Sequence, residues 1–329
     1  MPFPLLRLPY LAFSEVMKNF EIRQLFPLSL CSKRMHLVVK NLRYKSIESK
    51  LDLRSENNTT RFSLSTKNAG NAILYLNVSA IRENQKGGWR VEEYPESVFQ
   101  QDYSGSRRLW EDVKNGTRCL MKRIFDLFNA KVDKVFVEQN KLWILDLVEE
   151  LQGPRSYEAH CGHIRRTNDQ YRHLLVDLNP ASLSILSEPS KQFRIENFRK
   201  TYNNLHLHGG WITWENMLRF DCARLFVHKT YTVNEINRLF RHVLLEGGAA
   251  RMTEFRAQVE DIDENGILDG IRELLAPIPG RDQFEDNERS WKFSGTLARG
   301  DQLVFASITC ERHWWRGIRL EIGEKDVLD

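Results

Sequence analysis

The chain has 329 residues, of which 41% are hydrophobic and 28% are charged, with a formal net charge of +4. This composition is typical of an ordinary globular protein and excludes disordered and collagen-like classes. No apolar run approaches the ~18 residues that a membrane-spanning helix needs. Five widely spaced cysteines without a C-x-x-C pair indicate a reducing compartment, so we expect a cytoplasmic or nuclear protein without a membrane partner.

The first fifty residues carry nine Lys or Arg and three Glu, a net charge of +6 that leaves about −2 for the remainder. Apolar residues recur with helical spacing over 13–20 and over 35–42. Pro27 interrupts a cluster between them, so we expect the second helix to begin around Pro27, and Ser32 is placed to cap the third. So many apolar residues in so short a segment predict a docking element that leans on another domain or on a partner.

The chain after this element reads as mixed helix and strand. Alternation such as that of Leu51 and Leu53 predicts a short antiparallel sheet over residues 46–103. Glu260 to Glu264, followed by Asn265-Gly266, reads as a solvated loop. The segments predicted between these regions are a helix at 110–128, a strand at 132–137, a helix at 142–151, and extended chain at 173–178 and 181–186.

Strands and helices alternate between about residues 190 and 260, which implies parallel pairing with crossovers. Thr213 and Tyr231-Thr232 open the two helices of this region, and the chain ends in strands at 291–297, 303–310 and 318–322. The irregular strand spacing resembles a leucine-rich-repeat-like α/β stack without the strict repeat signature. The predicted fold class is α+β or α/β: a three-helix N-terminal module, then an irregular α/β domain ending in β-strands.

Three pieces of the N-terminal sequence occur in a characteristic order: Leu8-Pro9, then the valine of residues 15–17, then LSLCSKR at residues 28–34. Together they resemble the F-box motif. The resemblance implies binding to a Skp-type adaptor, an acidic family of proteins, and through it a link to a cullin-RING ubiquitin ligase. The residues that it implies for adaptor binding are Leu6, Leu8, Pro9, Leu11, Val16, Phe20, Leu25, Leu28, Leu30 and Ser32.

A second resemblance lies in the C-terminal part. The segments WITWENML at 211–218, YTVNEINRLFRHVL at 231–244 and MTEF at 252–255 are similar to the F-box-associated domain of a large, lineage-expanded F-box family. The likeness implies an F-box over residues 1–46 and an F-box-associated domain over 47–329, best matched at about 190–260. It also implies a non-catalytic substrate receptor of an SCF-type ubiquitin ligase, whose target protein the sequence does not name.

Trp314, Trp315 and Arg316 are the residues that we consider for target binding, because exposed Trp beside Arg is typical of interaction hot spots. The alternative is that both tryptophans pack in the core or at a hairpin turn. Trp211 and Trp214 lie one helical turn apart, and we expect them in the core.

Motifs for catalysis are missing from the sequence, which contains no G-x-S-x-G, P-loop or G-x-G-x-x-G. HCGH at residues 160–163 and the set His206, His208 and His228 offer metal ligands, but solvated histidines are the favoured interpretation. We therefore expect no catalytic residue, no cofactor and no metal. Two alternatives stay open: a basic helix-turn-helix that binds nucleic acid, and a metal-dependent enzyme at the histidines.

Overall fold

The chain divides into two compact units, Met1–Glu158 and Ala159–Asp329, and each is described separately. The coordinates are a computed structural model. The residues that the structure describes are 8–42, 49–56, 59–66, 74–80, 89–91, 94–102, 105–110, 112–138, 141–195, 200–246, 248–276, 284–287, 290–299, 302–312 and 316–323.

The first unit begins with three helices: α1 (Tyr10–Lys18), α2 (Ile22–Leu30) and α3 (Lys33–Leu42). Ser32 caps α3 as predicted, because its Oγ accepts a hydrogen bond of 3.1 Å from the Met35 N–H. The expected start of α2 near Pro27 is wrong, since the helix runs through this proline. The Gln24 side chain accepts the Glu21 N–H at 2.8 Å, which begins the helix one turn earlier and outweighs the bond that Pro27 cannot make.

Seven strands of the first unit form one sheet in the order β7-β1-β2-β3-β6-β5-β4. The predicted antiparallel pairing is confirmed for β1 with β2 and for β2 with β3. Antiparallel pairs also join β4 with β5 and β5 with β6, and two parallel pairings, β1 with β7 and β3 with β6, complete the mixed sheet. The strand bounds are β1 (Ser49–Glu56), β2 (Thr59–Thr66), β3 (Leu74–Ala80), β4 (Trp89–Val91), β5 (Tyr94–Asp102), β6 (Gly105–Trp110) and β7 (Lys131–Val137).

Two helices, α4 (Val113–Phe128) and α5 (Trp143–Gln152), complete this unit at the predicted places. Asp112 caps α4 by accepting the Lys114 N–H at 2.9 Å. The apolar stripe of α4, which includes Leu120, Ile124 and Leu127, is at most 1% exposed. The helix therefore contributes its apolar face to the core of the first unit.

The second unit contains consecutive strands that lie side by side. Its sheet has the order β13-β14-β15-β16-β12-β11-β10-β9-β8, in which β9 to β12 pair in parallel and β16 joins β12 in antiparallel fashion. The strand bounds are β8 (Glu158–Cys161), β9 (Ser182–Ile185), β10 (Thr201–His208), β11 (Asp221–Tyr231), β12 (Glu254–Val259), β13 (Phe284–Asn287), β14 (Ser290–Arg299), β15 (Gln302–Arg312) and β16 (Arg316–Gly323).

Capping boxes begin the helices between these strands. Thr213 and Thr232 accept main-chain N–H groups three residues ahead, each at 3.3 Å, and so begin α7 (Trp214–Arg219) and α8 (Val233–Leu244). These starts agree with the prediction. The mixed α and β composition is confirmed, whereas the leucine-rich-repeat-like character and the predicted domain limits at residues 46 and 47 stay predictions.

Two local predictions in the second unit are wrong. The segment expected to be extended at 173–178 instead continues α6 (Asn168–Arg172) as a π-helical turn over His173–Asp177. Thr167 begins α6 with a capping box, and Tyr171, Leu174, Leu175 and Leu178 follow at the i, i+3, i+4, i+7 spacing of a buried helical face. The expected turn after residue 263 is α9 (Glu264–Leu268), capped by Asp263, and a short 3₁₀ turn follows at Arg272–Leu274.

None of the helices in the described part of the chain is long and apolar enough to span a membrane.

Candidate protein-docking surface

The three N-terminal helices bury one side of each helix against one another. Of the periodic residues predicted for α1 and α3, Phe13, Met17, Met35 and Val39 lie in this interior together with the fully buried Phe26 of α2, whereas Val16 is exposed. The apolar side chains that are at most 6% exposed in this module are Phe13, Met17, Phe26, Leu30, Met35 and Val39.

The module is attached to the rest of the first unit through α4. Phe26 lies 6.4 Å from Phe128 between ring centroids. The Arg123 guanidinium donates a hydrogen bond to the main-chain carbonyl of Ser29, and both residues are buried. These contacts hold α2 against α4, so the predicted reliance of the small module on a neighbouring part of the chain is confirmed.

Charged contacts hold α3 against the same helix. His36 Nε2 lies 2.7 Å from Asp126 Oδ2, and Lys40 forms an ion pair with the same carboxylate. Partial burial raises the pKa of the Asp126 carboxyl, but the hydrogen bonds from Lys40 and His36 outweigh it and hold the pKa below its usual value. Two basic side chains of α3 are therefore committed to an intramolecular contact.

Outside this interior, α1 and α3 present large apolar side chains to solvent. Leu11 is 78% exposed, Leu37 is 56% exposed and Val16 is 37% exposed. At 100° per residue, Leu11 and Leu37 each lie well over 90° from the buried stripe of their helix, so neither contributes to the interior of the module. We call Leu11, Val16 and Leu37 the exposed apolar set, and all three belong to α1 or α3 of this module.

The structure distributes the predicted adaptor-binding residues among three environments. Leu30 is buried inside the module, and Leu6 lies outside the described residues. Among the other predicted residues, Pro9, Leu11, Val16 and Ser32 are exposed, and Leu8, Phe20, Leu25 and Leu28 are half-buried.

Leu37 was not among the predicted residues, although the sequence already placed it outside the apolar stripe of α3.

The residues considered for target binding are largely outside what the structure describes. Trp314 and Trp315 lie outside the described residues, and Arg316 is the first residue of β16 with a side chain that is not described. Trp211 is 5% exposed, which confirms its predicted place in the core. The side chain of Trp214 is not described.

The histidines of the second unit fall into one neighbourhood. His206 and His208 alternate along β10, and His228 of β11 lies opposite His208 in the parallel register. One nitrogen from each of these three rings lies within 4.8 Å of the other two. His163 lies 6.3 Å from His208 between ring centroids, whereas Cys161 beside it is 1% exposed and has a pKa raised by burial to about 11.

Comparison with known families identifies the N-terminal module. Residues 5–47 match the F-box domain. No curated protein and no solved structure matches the chain, and the predicted F-box-associated domain stays a prediction. The chain thus carries an F-box domain, the kind of module that binds Skp-type adaptors in cullin-RING ligases.

Proposed function

We propose that the protein is a substrate receptor of an SCF-type cullin-RING ubiquitin ligase. Its F-box docks a Skp-type adaptor, and the part of the chain after the F-box binds a target protein. The observation that carries this proposal is the F-box match over residues 5–47, on a module whose α1 and α3 keep Leu11 and Leu37 exposed.

The attachment of the F-box to α4 supports this proposal, because a receptor must hold its docking module in a defined position. Arg123, Asp126 and Phe128 hold α2 and α3, so the F-box is packed against α4 of the first unit. An adaptor bound to the F-box is then held in a fixed orientation relative to that helix. Such a receptor acts by positioning its target and supplies no catalytic residue, and we place its action in the cytoplasm or nucleus.

Charge also favours an acidic protein as the partner. Lys33 and Arg34 are exposed at the start of α3, within a segment of net charge +6. Nucleic acid is the weaker candidate, because His36 and Lys40 bind Asp126 and the outer side of α3 presents the apolar Leu37. This helix lacks the continuous polar row that reads base edges.

Co-expression of the full chain with a Skp-type adaptor tests the proposal. The wild-type chain is expected to co-purify with the adaptor, and the double variant Leu8→Ala/Pro9→Ala is expected to lose it while keeping its thermal unfolding transition. Undiminished co-purification by this folded variant would refute the assignment. Retention of the full chain on duplex DNA at physiological salt would favour the nucleic-acid alternative instead.

A further inference from the structure

The histidine neighbourhood of the second unit has the composition of a transition-metal site. Five of the chain's nine histidines lie in or beside it, namely His160, His163, His206, His208 and His228. Alternate residues on β10 and β11, such as Leu205, Leu207 and Val227, are at most 3% exposed and point into the core. The intervening histidines therefore share the other, half-buried face of the sheet.

Strand geometry brings the three central rings together. Residues two apart on one strand lie about 6.6 Å apart, and neighbouring strands lie about 4.8 Å apart. The observed ring centroids are 4.0 Å apart for His208 and His228, 4.7 Å for His206 and His228, and 5.8 Å for His206 and His208. Tetrahedral zinc with Zn–N bonds of about 2.0–2.1 Å needs nitrogens about 3.3 Å apart, and one nitrogen from each of these rings already lies within 4.8 Å of the other two.

The environment of His206 also fits a ligand. Its Nδ1 lies 3.4 Å from the Ser184 hydroxyl, and its Nε2 is buried with no hydrogen-bond partner among the described residues. A hydroxyl that accepts Nδ1–H orients the ring and leaves the Nε2 lone pair for a metal. Phe226, 5.8 Å from His206, and Arg256 over the Phe226 ring cover one side of the site.

Imidazole nitrogens are donors that suit borderline metals such as zinc. Among the described residues, no carboxylate is grouped with these three rings, so the donor set favours zinc over magnesium or calcium.

The geometry points to a zinc site formed by His206, His208 and His228 on the half-buried face of the sheet, with the fourth coordination position free for a water or a donor from a bound molecule. Three protein nitrogens with one open position are the arrangement of exchangeable and catalytic zinc sites, whereas structural sites are closed by four protein ligands. This inference is independent of the F-box and of the proposed ligase role.

Zinc titration of the full chain, prepared without a polyhistidine tag and stripped with a chelator, tests the site. One zinc ion per chain is expected to bind, and each of His206→Asn, His208→Asn and His228→Asn is expected to weaken binding by at least about tenfold. The matched control is His242→Asn, because His242 is a helical histidine that pairs with Glu246 at 2.8 Å in the same unit. Its affinity is expected to stay within about twofold of wild type.

Cobalt substitution of the unmutated chain gives a readout that does not depend on how the variants fold. Four-coordinate Co²⁺ is expected to show intense visible absorption. Added zinc is expected to displace the cobalt and so to remove this absorption. Zinc binding that is equal in wild type and in the folded His208→Asn and His228→Asn variants would overturn the site. A weak octahedral cobalt spectrum or the absence of zinc uptake would overturn it as well.

Discussion

Replacing Arg123 by methionine is expected to loosen the F-box from the first unit. Arg123 is 8% exposed and donates a hydrogen bond to the carbonyl of Ser29, which is fully buried. Methionine keeps an unbranched apolar side chain but cannot donate, so the Ser29 carbonyl loses this bond. Leaving a buried acceptor without its partner costs about 1–3 kcal/mol.

This cost converts to a measurable shift in thermal unfolding. A domain of about 150–250 residues loses about 2–4 °C in Tm for each kcal/mol, so Arg123→Met is expected to lower Tm by roughly 2–12 °C. Calorimetry of the full chain measures the shift, and hydrogen exchange over α2 is expected to accelerate. Arg118→Met is the matched control, because Arg118 lies on the same helix and pairs with the exposed Glu150. Equal unfolding temperatures and equal hydrogen-exchange rates over α2 in Arg123→Met and Arg118→Met would refute the reasoning.

Two further predictions concern exposed and buried side chains. Leu11 is 78% exposed, and fully burying a leucine side chain is worth about 1.5–3 kcal/mol, so burial of this exposed part by the adaptor would contribute 78% of that free energy. Leu11→Ala is therefore expected to weaken adaptor binding by roughly 7- to 50-fold in calorimetric titration. Leu274→Ala, at a leucine that is 51% exposed in the second unit, is expected to change nothing. Maleimide at pH 8 is expected to label the exposed Cys31 in the folded chain, but Cys161 and Cys222 only after denaturation, because burial raises their pKa values to about 11 and about 12. Equal native labelling of all three thiols would contradict the described core.

Elements that depend on local sequence were predictable. The apolar stripes of α1, α3 and α4 and the caps at Ser32 and Thr232 act over three or four residues, so their spacing specifies the helices. The start of α2 was predicted wrongly because the Gln24 side chain accepts the Glu21 N–H and stabilises a helix start before Pro27. This capping outweighs the main-chain hydrogen bond that Pro27 cannot donate. The π-helical turn was missed although Tyr171, Leu174 and Leu175 have helical spacing, because the run Leu174-Leu175-Val176 also suits a strand.

Most features that depend on long-range register were not predictable. The sequence suggested that His206, His208 and His228 could share a metal, but the pairing of His228 with His208 follows from the parallel register of β10 with β11. The contacts of Arg123 with Ser29 and of Lys40 with Asp126 likewise join residues 86 or more positions apart. No pattern in one sequence specifies such pairs, because they follow from the packing of whole elements.

Hydrogen exchange of the full chain with and without a purified Skp-type adaptor tests the central claim most directly. Docking on the exposed apolar set is expected to slow exchange across α1 and α3, around Leu11, Val16 and Leu37, and to leave α8 unchanged. Exchange over residues 8–42 that is the same with and without saturating adaptor would contradict the assignment of this surface as the ligase-docking site.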